Sequence, residues 1–266
     1  MTRSSLLPSD AHVRANGSGP RRDRASVQFE AVTKRFDDGT EALRAVSFSV
    51  LPGEFVALVG PSGCGKSTLL RLASGLATPT TGTVDVQAAP VGYVFQDATL
   101  LPWRTVLRNV ELLGQLHGVP KEERRRNALA AISTVGLSGF EAKYPRALSG
   151  GMKMRASLAR ALTLSPQVFL FDEPFGALDE ITRQRLNDEL LQLFQDRGFA
   201  ALFVTHSVPE AVFLATRVLV MSGRPGAVIA DIAVPFGYPR PPQLRYSAAF
   251  ASLAGQIGGA LQEGHS

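Results

Sequence analysis

The sequence has a single cysteine, no long apolar run and little excess charge. Because Cys64 is the lone cysteine among 266 residues, no disulfide can form within the chain, and we expect a reducing compartment. No stretch approaches the ~18 uninterrupted apolar residues that a membrane-spanning helix needs. The first residues carry charges without the apolar segment of a secretory signal, and their Ser, Arg, Gly and Pro content predicts a disordered leader over residues 1–25.

The basic excess is small and gives little support to a nucleic-acid partner. The chain has 28 Lys and Arg against 23 Asp and Glu, a formal net charge of +5. Much of the excess lies in the first 35 residues and in the run KEERRRNALA, which is typical of a solvated face. A patch for nucleic acid or lipid headgroups is the alternative. With 45% hydrophobic and 19% charged residues, the composition is that of a globular protein with a sizeable core.

Strand-like and helix-like segments alternate along the chain. Short apolar runs such as FVALV, VFLFD and AALFV predict buried strands, and KSTLLRLASGL and EITRQRLNDELLQLFQDRG predict helices. This alternation predicts an α/β core with a parallel sheet over residues 26–235. Three helical stretches at about 97–164 predict a helical subdomain inserted between core strands. We expect residues 236–266 to form a C-terminal extension, with a proline-rich loop and a weak helix.

The stretch GPSGCGKST fits the pattern G-x-x-x-x-G-K-S between an apolar strand and a helix. Its glycines let backbone N–H groups point at phosphate oxygens, and the helix adds its positive end. Lys66 is expected to reach the β- and γ-phosphates, and the Ser67 hydroxyl to bind Mg²⁺. Cys64 is expected to fill space, with a redox role as the alternative. The predicted nucleotide-binding residues of this loop are Gly60, Pro61, Ser62, Gly63, Cys64, Gly65, Lys66, Ser67 and Thr68.

Polar side chains follow three other predicted strands, at the edge where α/β proteins bind ligands. Asp172 suits a water-mediated role in binding Mg²⁺, and Glu173 suits a general base for the attacking water. The alternative interpretation is that Asp172 and Glu173 are two surface carboxylates without a role in binding or catalysis. A lone histidine is more often structural, but the place of His206 at the carboxyl end of a core strand favours donation to a γ-phosphate. Gln96 could bind Mg²⁺ or position water, with a solvent-facing side chain as the alternative.

The stretch LSGGMKMRASLARAL places two glycines where a helix begins. Glycine costs about 1 kcal/mol relative to alanine inside a helix, but at a helix start the exposed N–H groups can bind an anion. With the phosphate loop, Ser149, Gly150 and Gly151 make residues 26–235 resemble the ATP-binding cassette (ABC) family of ATPases. The resemblance implies a P-loop NTPase fold, α/β in class, with an ABC core sheet, an inserted helical subdomain and an antiparallel β edge.

The resemblance also implies roles for residues outside the phosphate loop. In that family the LSGG signature caps the γ-phosphate on a second copy, so the bound anion would be the partner subunit's ATP. Gln96 resembles the family's Q-loop glutamine, and His206 resembles its switch histidine. Asp179, in GALD, resembles the aspartate that touches the opposite site, and Phe36 lies where an aromatic residue stacks on adenine. Lys66, Glu173 and His206 would then be the catalytic residues.

Three positions depart from the family pattern. Met152 stands where the signature usually has Gln, so we expect Ser149 and the glycine N–H groups to carry the binding. Ser207 replaces the Asp that usually follows the switch histidine, and we expect this change to loosen that loop. Phe36 lacks the hydroxyl of the usual Tyr, but stacking needs only the ring face.

Finer features resemble the importer branch that serves nitrate, sulfonate and taurine, namely VFQDATLLPWRTV, YPRALSGGM, DEPFGALDEITR and RPG. This resemblance implies an ATPase that uses ATP and Mg²⁺ to energise uptake of a small anion, bound peripherally at the cytoplasmic face of the membrane. The implied partners are a second ABC subunit in a homodimer, a separate transmembrane permease and, through it, a periplasmic or surface substrate-binding protein; no nucleic acid is implied. A short coupling helix of the permease would dock at DATLLPW. The alternative is that Trp103, in this segment, is a core residue.

Other function classes remain as alternatives. An ABC ATPase not linked to transport, acting in DNA repair or translation, usually has tandem cassettes or a long coiled-coil insertion, and this chain has neither pattern. A P-loop kinase would have no LSGG, and a GTPase would need an N-K-x-D motif that the sequence lacks. The transported molecule is not encoded here, because specificity in such systems lies in the permease and the binding protein.

Overall fold

The structure, a computed structural model, describes residues 24–87 and 90–264, so nearly all of the predicted leader at 1–25 lies outside the described residues. Within them the strands are β1 (Val27–Arg35), β2 (Glu41–Val50), β3 (Phe55–Val59), β4 (Thr81–Val86), β5 (Val91–Val94), β6 (Val168–Asp172), β7 (Ala200–Val204), β8 (Arg217–Met221) and β9 (Val228–Ala233). The α-helices are α1 (Lys66–Ala73), α2 (Val106–Val110), α3 (Leu112–Leu116), α4 (Lys121–Thr134), α5 (Gly150–Leu162), α6 (Glu180–Arg197), α7 (Val208–Leu214) and α8 (Ala248–Glu263).

The core of the protein is a six-stranded sheet in the order β5-β6-β7-β3-β8-β9. Strands β5, β6, β7, β3 and β8 run parallel, and β9 pairs antiparallel with β8. Every residue of β3 and of β7 is buried, as expected for strands covered on both faces. The prediction of an α/β fold with a parallel sheet is therefore confirmed, and the strand order brings the carboxyl ends of β5, β6, β7 and β3 side by side.

A second, antiparallel sheet has the order β2-β1-β4. Val27, Phe29 and Val32 of β1 are buried while most of the other residues are exposed or half-buried, and Phe29 stacks on Phe48 of β2 with ring centroids 4.5 Å apart. This one-sided burial is what an antiparallel sheet with one solvated face requires. The sheet confirms the expected antiparallel β edge.

Helices α2, α3, α4 and α5 follow one another between β5 and β6 in the chain. The first of the predicted helical stretches, TVLRNVELLGQLHGV, forms two short helices separated by Glu111, whose buried carboxylate pairs with Arg108 at 3.2 Å. These helices share an apolar cluster that includes Val106, Ile132 and Ala156. Treating about 97–164 as a separate subdomain stays a prediction. Trp103 is 71% exposed, so its interpretation as a core residue is wrong.

The C-terminal tail packs more tightly than its sequence indicates. We expected a weak helix, but α8 has 16 residues and buries Phe250, Leu253 and Ile257 in the main core. These side chains recur at intervals of three and four, the spacing of one helix face. In the preceding loop, the buried Arg240 donates to the carbonyl oxygens of Val212 and Phe213 at 3.1 and 2.7 Å.

None of the helices described over residues 24–87 and 90–264 combines the length and the apolar character needed to cross a lipid bilayer.

Candidate nucleotide-binding site

The predicted phosphate loop joins the buried strand β3 to helix α1. Gly63 and Gly65 have φ angles of 76° and 102°, a backbone region that side chains with a Cβ rarely adopt. A Cβ on Gly65 would also lie 2.6 Å from Leu43 Cδ2, because the antiparallel sheet lies against the loop at this point. Glycine is therefore required by both conformation and space at the point where the loop enters α1.

The side chain of Lys66 is turned inward over this loop and is only 5% exposed. Its Nζ donates to the carbonyl oxygens of Gly60 and Pro61, each at 2.8 Å, and lies 3.9 Å from Cys64 Sγ. Across the described parts of the chain, no carboxylate forms an ion pair with this ammonium group. A buried cation with only neutral acceptors would gain from an anion, so the loop fits a phosphate group chemically.

The hydroxyl of Ser67 donates to Asp172 Oδ1 at 2.7 Å, which joins the start of α1 to the end of β6. The phenol of Tyr93, on the neighbouring strand β5, donates to the other carboxylate oxygen at 3.3 Å. Burial and the adjacent charge of Asp172 raise the pKa of Tyr93 well above its ordinary value. Sequence reasoning missed Tyr93. The signal in the sequence is its place near the carboxyl end of a predicted strand. That signal identifies a contact with Asp172 only when the pairing of β5 with β6 is known.

Glu173 and His206 meet at the ends of the adjacent strands β6 and β7. Glu173 Oε2 lies 3.2 Å from His206 Nδ1, and about half of the imidazole is exposed. Glu173 has a φ angle of 46°, and its N–H donates to the carbonyl of Val204 at 3.0 Å. A left-handed conformation at a glutamate is uncommon and costs about 1–3 kcal/mol. Ser207 caps α7 by accepting from the Glu210 N–H at 3.4 Å, and the expectation that it loosens this segment stays a prediction.

Gln96 lies two residues beyond β5, at the same edge of the sheet, with its side chain exposed. No hydrogen bond of its amide occurs within the described ranges, so its role stays a prediction. The segment that follows Gln96 is anchored by Arg160 of α5, which sequence reasoning did not single out. Its guanidinium donates to the carbonyls of Ala98 and Thr99 at 3.1 and 2.9 Å and to the Thr99 hydroxyl at 2.8 Å.

The signature residues lie apart from the phosphate loop of their own chain. Ser149 caps α5 by accepting from the Met152 N–H at 3.3 Å, and no hydrogen bond joins it to residues 60–68 where the chain is described. A Cβ on Gly150 would lie 3.2 Å from Leu178 Cδ2, and one on Gly151 would lie 3.0 Å from Thr182 Cγ2. The signature therefore lies beside the segment that carries Asp179.

Asp179 caps helix α6, and its Oδ1 accepts from the Thr182 N–H at 3.0 Å. This hydrogen bond from the Thr182 backbone lowers the pKa of the Asp179 carboxyl. Phe36 lies in the turn that joins β1 to β2 and is 42% exposed, with Lys34 Nζ 5.5 Å from the ring centroid. The Phe36 ring is therefore free to stack on a planar group, which is what its predicted role requires.

The segment after β8, which contains the RPG motif, lies against the phosphate loop. Arg224 Nε donates to the Gly63 carbonyl at 3.1 Å, and a Cβ on Gly226 would lie only 1.9 Å from the Cys64 carbonyl oxygen. Cys64 is buried, and burial raises the pKa of its thiol. A thiol held in its neutral form is a poor nucleophile, which favours the space-filling interpretation of Cys64 over a redox role.

The oxygen donors at the loop fit Mg²⁺. Over the described residues, no group of three or more His, Cys, Asp and Glu side chains converges as a self-sufficient metal site. The Ser67 hydroxyl and the Asp172 carboxylate are nevertheless in contact, and hydroxyl and carboxylate oxygens suit this ion. Mg²⁺ commonly takes only one or two protein ligands and completes its coordination with substrate phosphates and water. The donor set is therefore of the kind expected for a nucleotide-bound ion.

The chain is similar to known ATP-binding cassettes over most of its length. Residues 43–176 match the family described as ABC transporter. The taurine import ATP-binding protein TauB of Yersinia pestis bv. Antiqua (strain Antiqua) is 46% identical over 206 residues, covering 75% of this chain and 81% of that protein. The nitrate import ATP-binding protein NrtD of Synechocystis sp. is 46% identical over 200 residues, covering 73% of this chain and 75% of that protein.

A solved structure gives the same likeness at the level of the fold. The dimeric post-hydrolysis state of the ATP-binding cassette MJ0796, bound to ADP and Pi, is 32% identical to this chain with a TM-score of 0.68. The comparison covers 79% of this chain and 100% of that one.

Proposed function

Because this chain belongs to the ABC transporter family, we propose that it is the nucleotide-binding subunit of an importer and hydrolyses ATP to drive uptake. The chain binds ATP and is an ATPase, as its family membership and its likeness to a cassette bound to ADP and Pi imply. One observation carries the assignment of residues. The inward-turned Lys66, the Ser67–Asp172 contact and the Glu173–His206 contact all occur at the carboxyl ends of adjacent strands.

In this proposal the phosphate loop binds the nucleotide, and residues at the strand ends catalyse its hydrolysis. Lys66 and the loop N–H groups hold the β- and γ-phosphates, and Phe36 stacks on the adenine. Ser67 and Asp172, with Gln96 as a further ligand, would hold Mg²⁺, which supplies neutralising charge for the phosphate oxygens. Glu173 accepts the proton of the attacking water. His206 orients that carboxylate and, being half exposed, is available to the γ-phosphate.

The site is completed by a second copy of this chain. Ser149 and Asp179 are both exposed, and the signature lies beside the Asp179 segment rather than on its own phosphate loop. Their helix starts present N–H groups that would bind the nucleotide held by the partner subunit. The dimeric state of the solved cassette supports a homodimer with two such shared sites.

The remaining partners follow from the relatives named for taurine import and nitrate import. We place this subunit peripherally at the cytoplasmic face of the membrane, bound to a transmembrane permease that receives a small anion such as taurine, another sulfonate or nitrate from a binding protein. The exposed Trp103, in the segment DATLLPW, offers an apolar contact for a short permease helix. An ABC ATPase unconnected with transport is the alternative.

Replacement of Glu173 by Gln tests the proposal. This change keeps the shape of the side chain but removes the proton acceptor, so hydrolysis should fall by about 100-fold or more while ATP still binds. The variant should accumulate as an ATP-bound dimer, measured by light scattering after size exclusion, with phosphate release followed in parallel. Asp188→Asn, which removes an ion pair with Arg245 at 2.8 Å elsewhere on α6, is the matched control and should hydrolyse ATP like the wild type. Normal turnover by Glu173→Gln, or a variant that stays monomeric with ATP and Mg²⁺, would contradict the proposal.

A further inference from the structure

A buried carboxylate lies directly beneath the segment that carries His206. Glu210, on α7, is 5% exposed, and its Oε2 accepts from the Thr205 hydroxyl at 2.5 Å. The same hydroxyl accepts from the Ser207 N–H at 2.9 Å. Thr205 and Ser207 flank His206 on either side, so Glu210 holds the backbone that sets the position of the imidazole.

The other oxygen of Glu210 faces helix α6. Its Oε1 lies 4.0 Å from Nε of Arg183, at the outer limit of an ion pair. Arg183 in turn donates from its guanidinium to the Leu178 carbonyl at 2.8 Å, and its backbone N–H donates to the Asp179 carbonyl at 2.9 Å. Arg183 therefore fixes the segment that contains Asp179, in the same way that Glu210 fixes the segment that contains His206.

This ion pair is incompletely formed in the structure. Two buried polar atoms of the pair itself, Glu210 Oε1 and Arg183 Nε, form no hydrogen bond over the described residues. Folded proteins leave few buried polar atoms unpaired, because each costs desolvation energy without a compensating bond. Burial also raises the pKa of the Glu210 carboxyl, so the charged form is costly in this arrangement. An approach of about 1 Å would bring Glu210 and Arg183 to hydrogen-bonding distance, so the pair has a more favourable, closed arrangement within reach.

We propose that Glu210 and Arg183 are positioning residues that couple the two ATP sites of the dimer. The inference rests on the proposed function, in which His206 serves the chain's own site and Asp179 faces the site of the partner subunit. When the pair closes, the segments of His206 and Asp179 move as one unit. Occupation of one site is thereby transmitted to the other through a single buried contact.

The test uses mixed dimers, so that an effect on the partner's site is measured separately. One subunit is wild type, and the other carries Glu173→Gln, which confines hydrolysis to the wild-type subunit's catalytic residues. Adding Glu210→Gln to the second subunit keeps the hydrogen bond from Thr205 but removes the charge that Arg183 faces. We expect turnover at the wild-type subunit's site to fall about five- to tenfold, with the ATP affinity of the isolated variant chain unchanged.

A double-mutant cycle and a control complete the design. Arg183→Gln in the same subunit should cause a similar loss, and the double variant should lose no more than the larger single loss. Because Arg183 is partly exposed, this variant also serves if Glu210→Gln fails to fold. Asp188→Asn, on the same helix, should leave turnover unchanged. Two results would refute the coupling while wild-type dimers still hydrolyse ATP and the proposed function stands. In one, the folded Glu210 and Arg183 variants leave turnover at the wild-type subunit's site unchanged. In the other, the losses of turnover caused by the two single changes add in the double variant.

Discussion

Two buried cations near the site have no carboxylate partner in the described chain, and their hydrogen bonds indicate different uses. Arg160 spreads its charge over carbonyl and hydroxyl acceptors in Ala98, Thr99 and Ser157, and burial lowers its pKa. It therefore anchors the segment after Gln96. Lys66 contacts only carbonyls and a thiol of its own loop, and we expect it to exchange these weak acceptors for phosphate oxygens.

Tyr93→Phe tests the role of the phenol at the same residue scale. The change removes one hydrogen bond to Asp172 Oδ2, worth about 1 kcal/mol, and leaves that carboxylate less well oriented. We expect the Mg²⁺ concentration needed for half-maximal tightening of ATP binding to rise about fivefold. Binding of a fluorescent ATP analogue, titrated with Mg²⁺ and repeated in excess EDTA, measures this.

Nucleotide binding in EDTA should not change in Tyr93→Phe, because over the described residues the lost hydroxyl hydrogen-bonds only to the carboxylate, and the ring that stacks on Phe95 is kept. Tyr246→Phe, at an exposed tyrosine, is the control. An unaltered Mg²⁺ titration, or an equal loss of affinity with and without the ion, would show that Tyr93 does not position Asp172.

At the scale of the helices, the predicted contacts between subunits lie at helix starts that are already capped. Ser149 Oγ uses one lone pair to accept from the Met152 N–H. A hydroxyl has one donor and two acceptor positions, so the capping bond leaves the Ser149 proton free to donate to a phosphate oxygen. Asp179 caps α6 in the same way, as an acceptor of the Thr182 N–H. In the proposed dimer, one side chain would therefore serve both the fold of its own helix and the surface offered to the partner.

Ser149→Ala should separate these two uses. Loss of the cap should lower the free energy of unfolding by about 1 kcal/mol, and Thr105→Ala, which uncaps α2, should cost a similar amount. Only Ser149→Ala should also weaken the ATP-dependent dimer and slow hydrolysis, because only Ser149 would touch the partner's nucleotide. Urea unfolding gives the first quantity, and dimerisation in the Glu173→Gln background gives the second. Equal dimer affinities for the two alanine variants would remove Ser149 from the shared site.

At the scale of the whole molecule, the tail belongs to the core that supports the site. Helix α8 packs on the same apolar cluster as β3, β6 and β7, the strands that end at the phosphate loop, Asp172 and His206. Arg240 adds hydrogen bonds to the C-terminal turn of α7, the helix that carries Glu210. The position of the strand ends that carry the candidate site therefore depends on residues beyond the predicted boundary at 235.

Removal of residues 236–266 should therefore destabilise the whole domain. Each buried apolar side chain lost from α8 contributes about 1.5–3 kcal/mol, and three of them approach the total stability of a typical domain. We expect the truncated chain to lose cooperative unfolding in urea, followed by circular dichroism. Phe250→Ala in the full chain should cost about 3–5 kcal/mol, while the exposed Gln256→Ala should cost little. A truncated chain with an unchanged urea midpoint would show that α8 is an appendage.

The sequence by itself determined the strand and helix alternation, the phosphate loop and the residues at the strand ends. Each depends on a few neighbouring residues: glycines for backbone turns, apolar runs for buried strands, and a polar side chain directly after a strand. Only the tertiary structure decided the contacts of Tyr93, Arg160 and Glu210, the packing of α8, and the position of the signature beside the Asp179 segment. Tyr93 and Asp172 are 79 positions apart, and Arg160 and Thr99 are 61 apart. Such contacts follow from the order β5-β6-β7-β3 and from helix packing, which no local pattern specifies, because they depend on how distant segments share one core.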